Sequence, residues 1–294
     1  MKIGLALGSG SARGWSHIGI IQALQARGVE PDIICGTSIG ALVGASCAAG
    51  NIDRLDQWVR SLTRLETARF FEISTRFNGF VNTERLHGFL NRIVADDDAI
   101  IEQLDKTYAA VATNLETGRE VWLSSGSVLE SVWASMSLPG LFPAIRVDGQ
   151  WLADGGLVNP VPVSLCRALG ADVVIAVNLN GDIVGKHLQK AQLTHRNRNG
   201  VLRKLSELVS EYTPLNFNGK ASQPAPGLFE SIAGSLNIMQ DRITKSRMAG
   251  DPPDILLTPR LAHIALLEFY RADEAIEEGK QCVLRMLPQI ERLL

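Results

Sequence analysis

Three short stretches carry residue types that could do chemistry together. The first is Gly36-Thr37-Ser38-Ile39-Gly40, a serine with glycine two positions to either side. Glycine there lets a sharp strand-to-helix turn pass its neighbours without a clash. Such a turn presents the hydroxyl above a sheet edge, at the positive end of a helix dipole that favours developing negative charge. Ser38 is therefore a candidate nucleophile. The pentapeptide is common by chance, so a purely structural turn is the competing reading.

The second stretch, "LALGSGSARGWSHIG", places Gly8, Gly10 and Gly14 between an apolar run and a helical pattern. Backbone N–H groups of such a loop can be aimed at a tetrahedral intermediate as an oxyanion hole. They can also approach a pyrophosphate at a helix N-terminus. The spacing weighs against a dinucleotide site, because G-x-G-x-x-G needs glycine where Arg13 stands. A plain structural turn is the third reading.

The third stretch supplies the base. None of the five histidines lies in a strand-end loop flanked by turn residues, where a triad histidine belongs. His17 reads as packing in the first helix, and His87 as part of a polar helix. His187 and His195 fall in a basic polar segment, and His263 in a late helix or loop. Asp154, in "DGQWLADGGLVNPVP", follows a short apolar run and precedes Gly155-Gly156. A carboxylate is a weak base in water, with a pKa of about 4. In a dry site facing a serine its basicity rises, which makes a direct Ser–Asp pair feasible. An ordinary hairpin aspartate is the alternative.

The elements that must position these groups follow from periodicity. Ile3–Leu7 and Asp32–Cys35 read as buried strands, with helices from about Trp15 to Arg27 and from Gly40 to Ala49. This strand–helix–strand–helix opening predicts a mainly parallel sheet covered by helices. Residues 53–95 read as mostly helical, broken at "FNGF". Strands are expected at Tyr108–Thr113 and Glu120–Leu123, a helix at Val128–Ser135 and a hairpin at Asp148-Gly149. A helix at Pro162–Leu169 leads into a strongly apolar strand, Asp172–Leu179, expected to be central. Helices at Ile232–Met248 and Ala272–Leu294 flank a last strand, Ile255–Thr258.

Composition narrows the function classes. The 294 residues, 46% hydrophobic and 20% charged, suit one large globular domain spanning 1–294. A net charge of -2 gives no nucleic-acid signature. Cys35, Cys47, Cys166 and Cys282 are widely spaced, form no C-x-x-C pair and read as reduced thiols of a cytoplasmic protein. No apolar run approaches the ~20 residues that span a bilayer. Residues 181–226 turn polar and read as a mobile insertion or cap. Between Lys186 and Lys220 seven basic residues face two acidic ones, so transient contact with anionic lipid at an inner membrane surface is an expectation beside that of a solvated insertion.

Taken in order, "GSGSARG", "GTSIG" and "DGG" resemble the patatin-like phospholipase family, in particular its small bacterial branch related to neuropathy-target-esterase proteins. "ASMSLPGLFPAIRVDGQWLADGGLVNPVPV" strengthens the resemblance. It implies a three-layer α/β/α fold and hydrolysis of acyl esters of phospholipids or other lipids, with no cofactor or metal. By position, Ser38 is the nucleophile and Asp154 the general base, while the backbone around Gly10, Ser11, Ala12 and Arg13 forms the oxyanion hole. Gly8, Gly14, Gly36, Gly40, Gly155 and Gly156 are the supporting motif glycines. Ser9 and Ser11 interrupt a loop that in the family has consecutive glycines. A regulatory or scaffold protein that keeps the fold is the alternative function.

Overall fold

The apolar runs at Ile3–Leu7 (β1), Ile33–Thr37 (β2), Thr107–Asn114 (β3) and Val173–Val177 (β7) are strands buried along almost their whole length. The computed structural model describes residues 1–70, 83–183 and 228–293. The remaining strands are Glu120–Leu123 (β4), Ile145–Val147 (β5), Gln150–Asp154 (β6) and Ile255–Leu257 (β8). Nine helices are described: Ser16–Gln25 (α1), Ile39–Ala48 (α2), Ile52–Ser61 (α3), Arg64–Phe70 (α4), Thr83–Ile93 (α5), Val128–Met136 (α6), Val163–Ala168 (α7), Leu228–Gly250 (α8) and Ala272–Leu293 (α9). The "FNGF" break, His187, His195 and most of the expected insertion, from residue 184 on, lie outside the described residues.

All eight described strands share one sheet in the order β5-β6-β3-β2-β1-β7-β8, with β4 paired to β3. The β3-β2-β1-β7-β8 part is parallel, and the hairpin edge is antiparallel. Alternation along each strand divides the core in two. Leu5, Leu7, Ile34, Tyr108, Ile175 and Val177 face the helices α1, α2, α6 and α9. Ala6, Ile33, Cys35, Ala109, Val174 and Ala176 face α7 and the chain leading into it. Helices therefore cover both faces, as a three-layer α/β/α arrangement requires. The expected central strand Asp172–Leu179 forms β7, one place in from the edge, and β2 is central. The dense apolar run reflects burial on both faces, which an inner strand shares with the middle one.

One detail of the sheet aligns the site. β3 is eight residues long. Its residues 107–111 pair with β2 and residues 112–114 with β6. The amides of Thr107 and Leu115 bond Asp32 O and Trp151 O, while that of Asn114 bonds Arg119 O on β4's side. Strand amides alternate in direction, so β2 and β6 lie on the same flank of β3 and meet end to end. The carboxyl ends of β2 and β6 therefore converge.

Candidate active site

Ser38 sits where β2 ends and α2 begins, with φ 57 and ψ -122. That backbone is strained for a residue with a Cβ and persists because its surroundings leave no alternative. A methyl group on Gly36 would lie 2.4 Å from the Ala41 backbone, and one on Gly40 2.1 Å from Leu7 O. Every residue of α2 is buried, and its Ala, Gly and Ser content lets it press directly onto the sheet. The Ser38 amide donates to Ser135 Oγ at 2.8 Å, and the Ser38 carbonyl accepts from Ala41 N at 2.9 Å.

Asp154 ends β6. Its amide donates to Ser137 O at 3.0 Å, and its carbonyl accepts from Thr113 Oγ1 at 2.8 Å. Ser135 and Ser137, at the end of α6, thus brace both residues from one segment. The structure brings the two side chains together: Ser38 Oγ donates to Asp154 Oδ2 at 2.5 Å across 116 residues of sequence. Oδ1 accepts from the Gly156 amide at 2.7 Å. Asp154 is 2% exposed. Burial pushes its pKa up to about 6, against the bonds from Ser38 and Gly156 that favour the carboxylate. The group is therefore still ionised at pH 7, and more basic than a carboxylate in water.

Among the described residues no histidine bonds either side chain. His17 Nε2–H donates to Gly8 O at 2.8 Å, and burial lowers its pKa to about 4, so it is neutral packing beneath the glycine loop. His87 pairs with Asp97, and His263 with Glu274. No group of three His, Cys, Asp or Glu side chains among the described residues is placed to hold a metal ion. No described helix is long and apolar enough to cross a membrane.

The glycine loop follows β1 and turns through a short 3-10 segment, Ser11–Trp15, into α1. Ser11 takes φ 52. Its hydroxyl donates to Leu266 O at 2.6 Å and the Ala12 amide donates to the same carbonyl at 3.1 Å, which holds the left-handed turn. The Ala12 amide is thus engaged, as is that of Arg13, which bonds Gly10 O at 3.3 Å. Among the described residues the amides of Gly10 and Ser11 have no internal acceptor. Arg13 is fully buried with no carboxylate partner among the described residues. Its Nε donates to Gly10 O and one terminal nitrogen to Asn237 Oδ1, both at 3.1 Å, and burial lowers its pKa to about 9. Gly8, Gly14 and Gly155 are tight packing points: a methyl there would come within 2.5, 2.3 and 2.1 Å of a neighbour. Gly156 lies against Ser9, Asp154 and Gln240.

Ser38, Asp154, Ser9 and Gly10 open into one cleft. Leu138, Leu141, Phe142, Leu236, Leu266 and Phe269 line it with apolar surface. The sequence reading missed Ser135, Ser137, Asn237, Gln240 and Leu266. The first two lay inside the quoted "ASMSLPG". The helical spacing of Asn237, Gln240, Asp241 and Thr244 was a visible signal of one polar face.

Residues 5–167 match the family model described as patatin-like phospholipase. The chain belongs to this family. An NTE family protein of Mycobacterium tuberculosis is 32% identical, over 99% of this chain and 92% of its own length. Lysophospholipase NTE1 of Pyricularia oryzae is 29% identical over 98% of this chain, which spans 18% of that protein. Patatin-like phospholipase domain-containing protein 6 of Mus musculus is 34% identical over 60% of this chain and 13% of its own length. The match to the mycobacterial relative reaches beyond the family model to α8 and α9.

Proposed function

We propose that this chain is a serine hydrolase of lipid acyl esters, with Ser38 as nucleophile and Asp154 as general base. The observation that carries this reading is the 2.5 Å bond from Ser38 Oγ to Asp154 Oδ2, formed at a strained turn in an apolar cleft. Asp154 takes the Ser38 proton as Oγ attacks the ester carbonyl carbon. Of the Gly10–Arg13 loop, the Gly10 and Ser11 amides are the donors for the oxyanion, joined by the first-turn amide of Ile39 behind the nucleophile. Protonated Asp154 then gives its proton to the departing alcohol or lysolipid. The apolar walls receive the acyl chain.

The name of the fungal relative, a lysophospholipase, and the family's description support a phospholipid or lysophospholipid ester as the substrate class. A cytoplasmic site of action with transient contact at a membrane surface belongs to the same reading. The test is labelling by a fluorophosphonate together with hydrolysis of a chain-length series of p-nitrophenyl esters and phospholipids. Ser38 should be labelled in the wild type, and both activities should vanish in Ser38→Ala. An unlabelled wild type would favour a regulatory protein that retains the fold. Full hydrolysis by Asp154→Asn would remove the dyad.

A further inference from the structure

Two polar side chains in the cleft have no part in the proton transfer above. Ser9 is 2% exposed, and its Oγ has no hydrogen-bond partner among the described residues. Its backbone is pinned, with the amide bonded to Pro160 O at 2.8 Å. Gln240, on the buried polar face of α8, is 5% exposed. Its Oε1 accepts from Asn180 Nδ2 at 2.9 Å, and the Asn180 amide in turn donates to Asn178 Oδ1 at 3.0 Å. This chain fixes the carboxamide so that its Nε2 donors point the other way, toward Gly156. A Cβ built on Gly156 would stand 2.5 Å from Gln240 Nε2, 2.9 Å from Asp154 Oδ1 and 3.0 Å from Ser9 Oγ. Two polar groups, Gln240 Nε2 and Ser9 Oγ, therefore converge with the carboxylate at Gly156, too closely for any side chain there. Ser9, Gln240, Asp154 and Ser38 all line the same cleft.

We propose that Ser9 and Gln240 hold the water that hydrolyses the acyl-Ser38 intermediate. The inference rests on the hydrolase reading above and adds the second half of its cycle. Acylation removes the Ser38 proton, so Ser38 no longer donates to Asp154 and the carboxylate is free to accept from water. Gln240 Nε2 donates to the water oxygen, and the Ser9 hydroxyl bonds it from the side. The water oxygen forms a bond to the acyl carbonyl carbon as one of its protons passes to Asp154. The bond from that carbon to Ser38 Oγ then breaks, Oγ takes the proton back from Asp154, and the carboxylic acid leaves. No oxidant, metal or further reactant enters the balance. Ser9 and Gln240 act on water alone, so they affect deacylation and leave acylation unchanged.

The two half-reactions can be read separately. Fluorophosphonate labelling of Ser38 requires nucleophile and base but no hydrolytic water. Turnover of a p-nitrophenyl ester requires all of them. In Ser9→Ala and Gln240→Met, labelling should keep its wild-type rate while steady-state turnover falls about tenfold for each lost bond. The ester should then release a burst of one equivalent of p-nitrophenol. Intact-protein mass spectrometry should show the acyl adduct accumulating on Ser38, and hydroxylamine, a stronger nucleophile than water, should discharge it. Ser9→Ala removes only an unpartnered hydroxyl, so it keeps the test valid if Gln240→Met destabilises the fold, which a thermal melt reveals. Unchanged turnover in Ser9→Ala would overturn the inference. So would labelling that falls in step with turnover, or a slow enzyme with no acyl adduct. Absence of label on the wild type would instead overturn the hydrolase reading itself, and this inference with it.

Discussion

Residues 36–40 and helix α8 face the same cleft, but they are held in opposite ways. Around Ser38, backbone presses on backbone, and Gly36 and Gly40 stand within 2.4 Å of where a side chain would collide. On α8, Asn237, Gln240, Asp241 and Thr244 are buried, while Ile232, Ile238 and Met239 are exposed. Its polar face looks inward, toward Arg13, Asn180 and the end of β6. The first region is fixed by excluded volume between backbone segments in direct contact. The second is fixed by long-range hydrogen bonds, such as that from Arg13 to Asn237, 224 residues apart. Steric locking is expected to fail abruptly when disturbed, and the polar seam gradually.

The widest gap between the two regions is expected in catalysis. Ser38→Ala should lower ester turnover by at least about 10⁴-fold while leaving the thermal midpoint unchanged. Ser38→Gly should be equally inactive and more stable by about 1 kcal/mol, because glycine tolerates the positive φ. A Ser38→Gly protein less stable than the wild type would show that the turn stores no strain.

Gly40→Ala comes next, with a loss of about 4 kcal/mol or more in chemical denaturation, since Leu7 O cannot withdraw from the sheet. Gly50 is the control: it has φ 71 and nothing within 4 Å of a would-be Cβ. Gly50→Ala should therefore cost only about 1 kcal/mol. Equal losses at both positions would mean that backbone conformation, and not crowding, governs the turn.

Asp154 gives a pH signature. Its pKa in the fold, raised to about 6 from 3.8, means that the native state holds this proton more tightly than the unfolded chain does. The stability it contributes is fully present below about pH 4 and is lost as pH rises through about 6, a change of roughly 3 kcal/mol. Under the proposed function activity should run the other way, with kcat/KM rising through about pH 6 as Asp154 ionises. The difference in unfolding free energy between wild type and Asp154→Asn, measured from pH 4 to pH 8, isolates this group. A flat difference would place the carboxyl at an ordinary pKa.

The smallest effect is expected at the seam. Arg13→Lys keeps the charge but cannot bond Gly10 O and Asn237 in the same geometry. It should lower kcat about tenfold with KM little changed, through a loosened glycine loop. A loss like that of Ser38→Ala would show that the seam is as unforgiving as the turn.

Legibility in the sequence divides along the same line. The glycine spacing around Ser38 and the apolar strand runs are local patterns, so the turn and the bounds of the elements near it could be read to within a few residues. Asp154 was legible because Gly155-Gly156 marked a close approach. Ser135 was not, because a hydroxyl in an apolar helix looks like filler until the amide it caps is known. That the polar face of α8 turns inward was hidden for a related reason. Hydrophobic periodicity assigns apolar residues to the interior, and Ile232, Ile238 and Met239 break that assumption. The free amides of the glycine loop also depended on a distant residue, since Leu266 O accepts from the Ala12 amide.

The shared flank of β3 has a further consequence. Thr37 is registered to Val111 and Asp154 to Ala112, two consecutive residues. The separation of Ser38 and Asp154, set 116 residues apart along the chain, is thus gauged by a single peptide unit on a third strand. Inserting one residue between Val111 and Ala112 would displace Asp154 by about 3.3 Å and turn its side chain to the opposite face of the sheet. Lengthening the Asp148-Gly149 turn would do neither. The distance between Ser38 and Asp154 is therefore written in the length of β3.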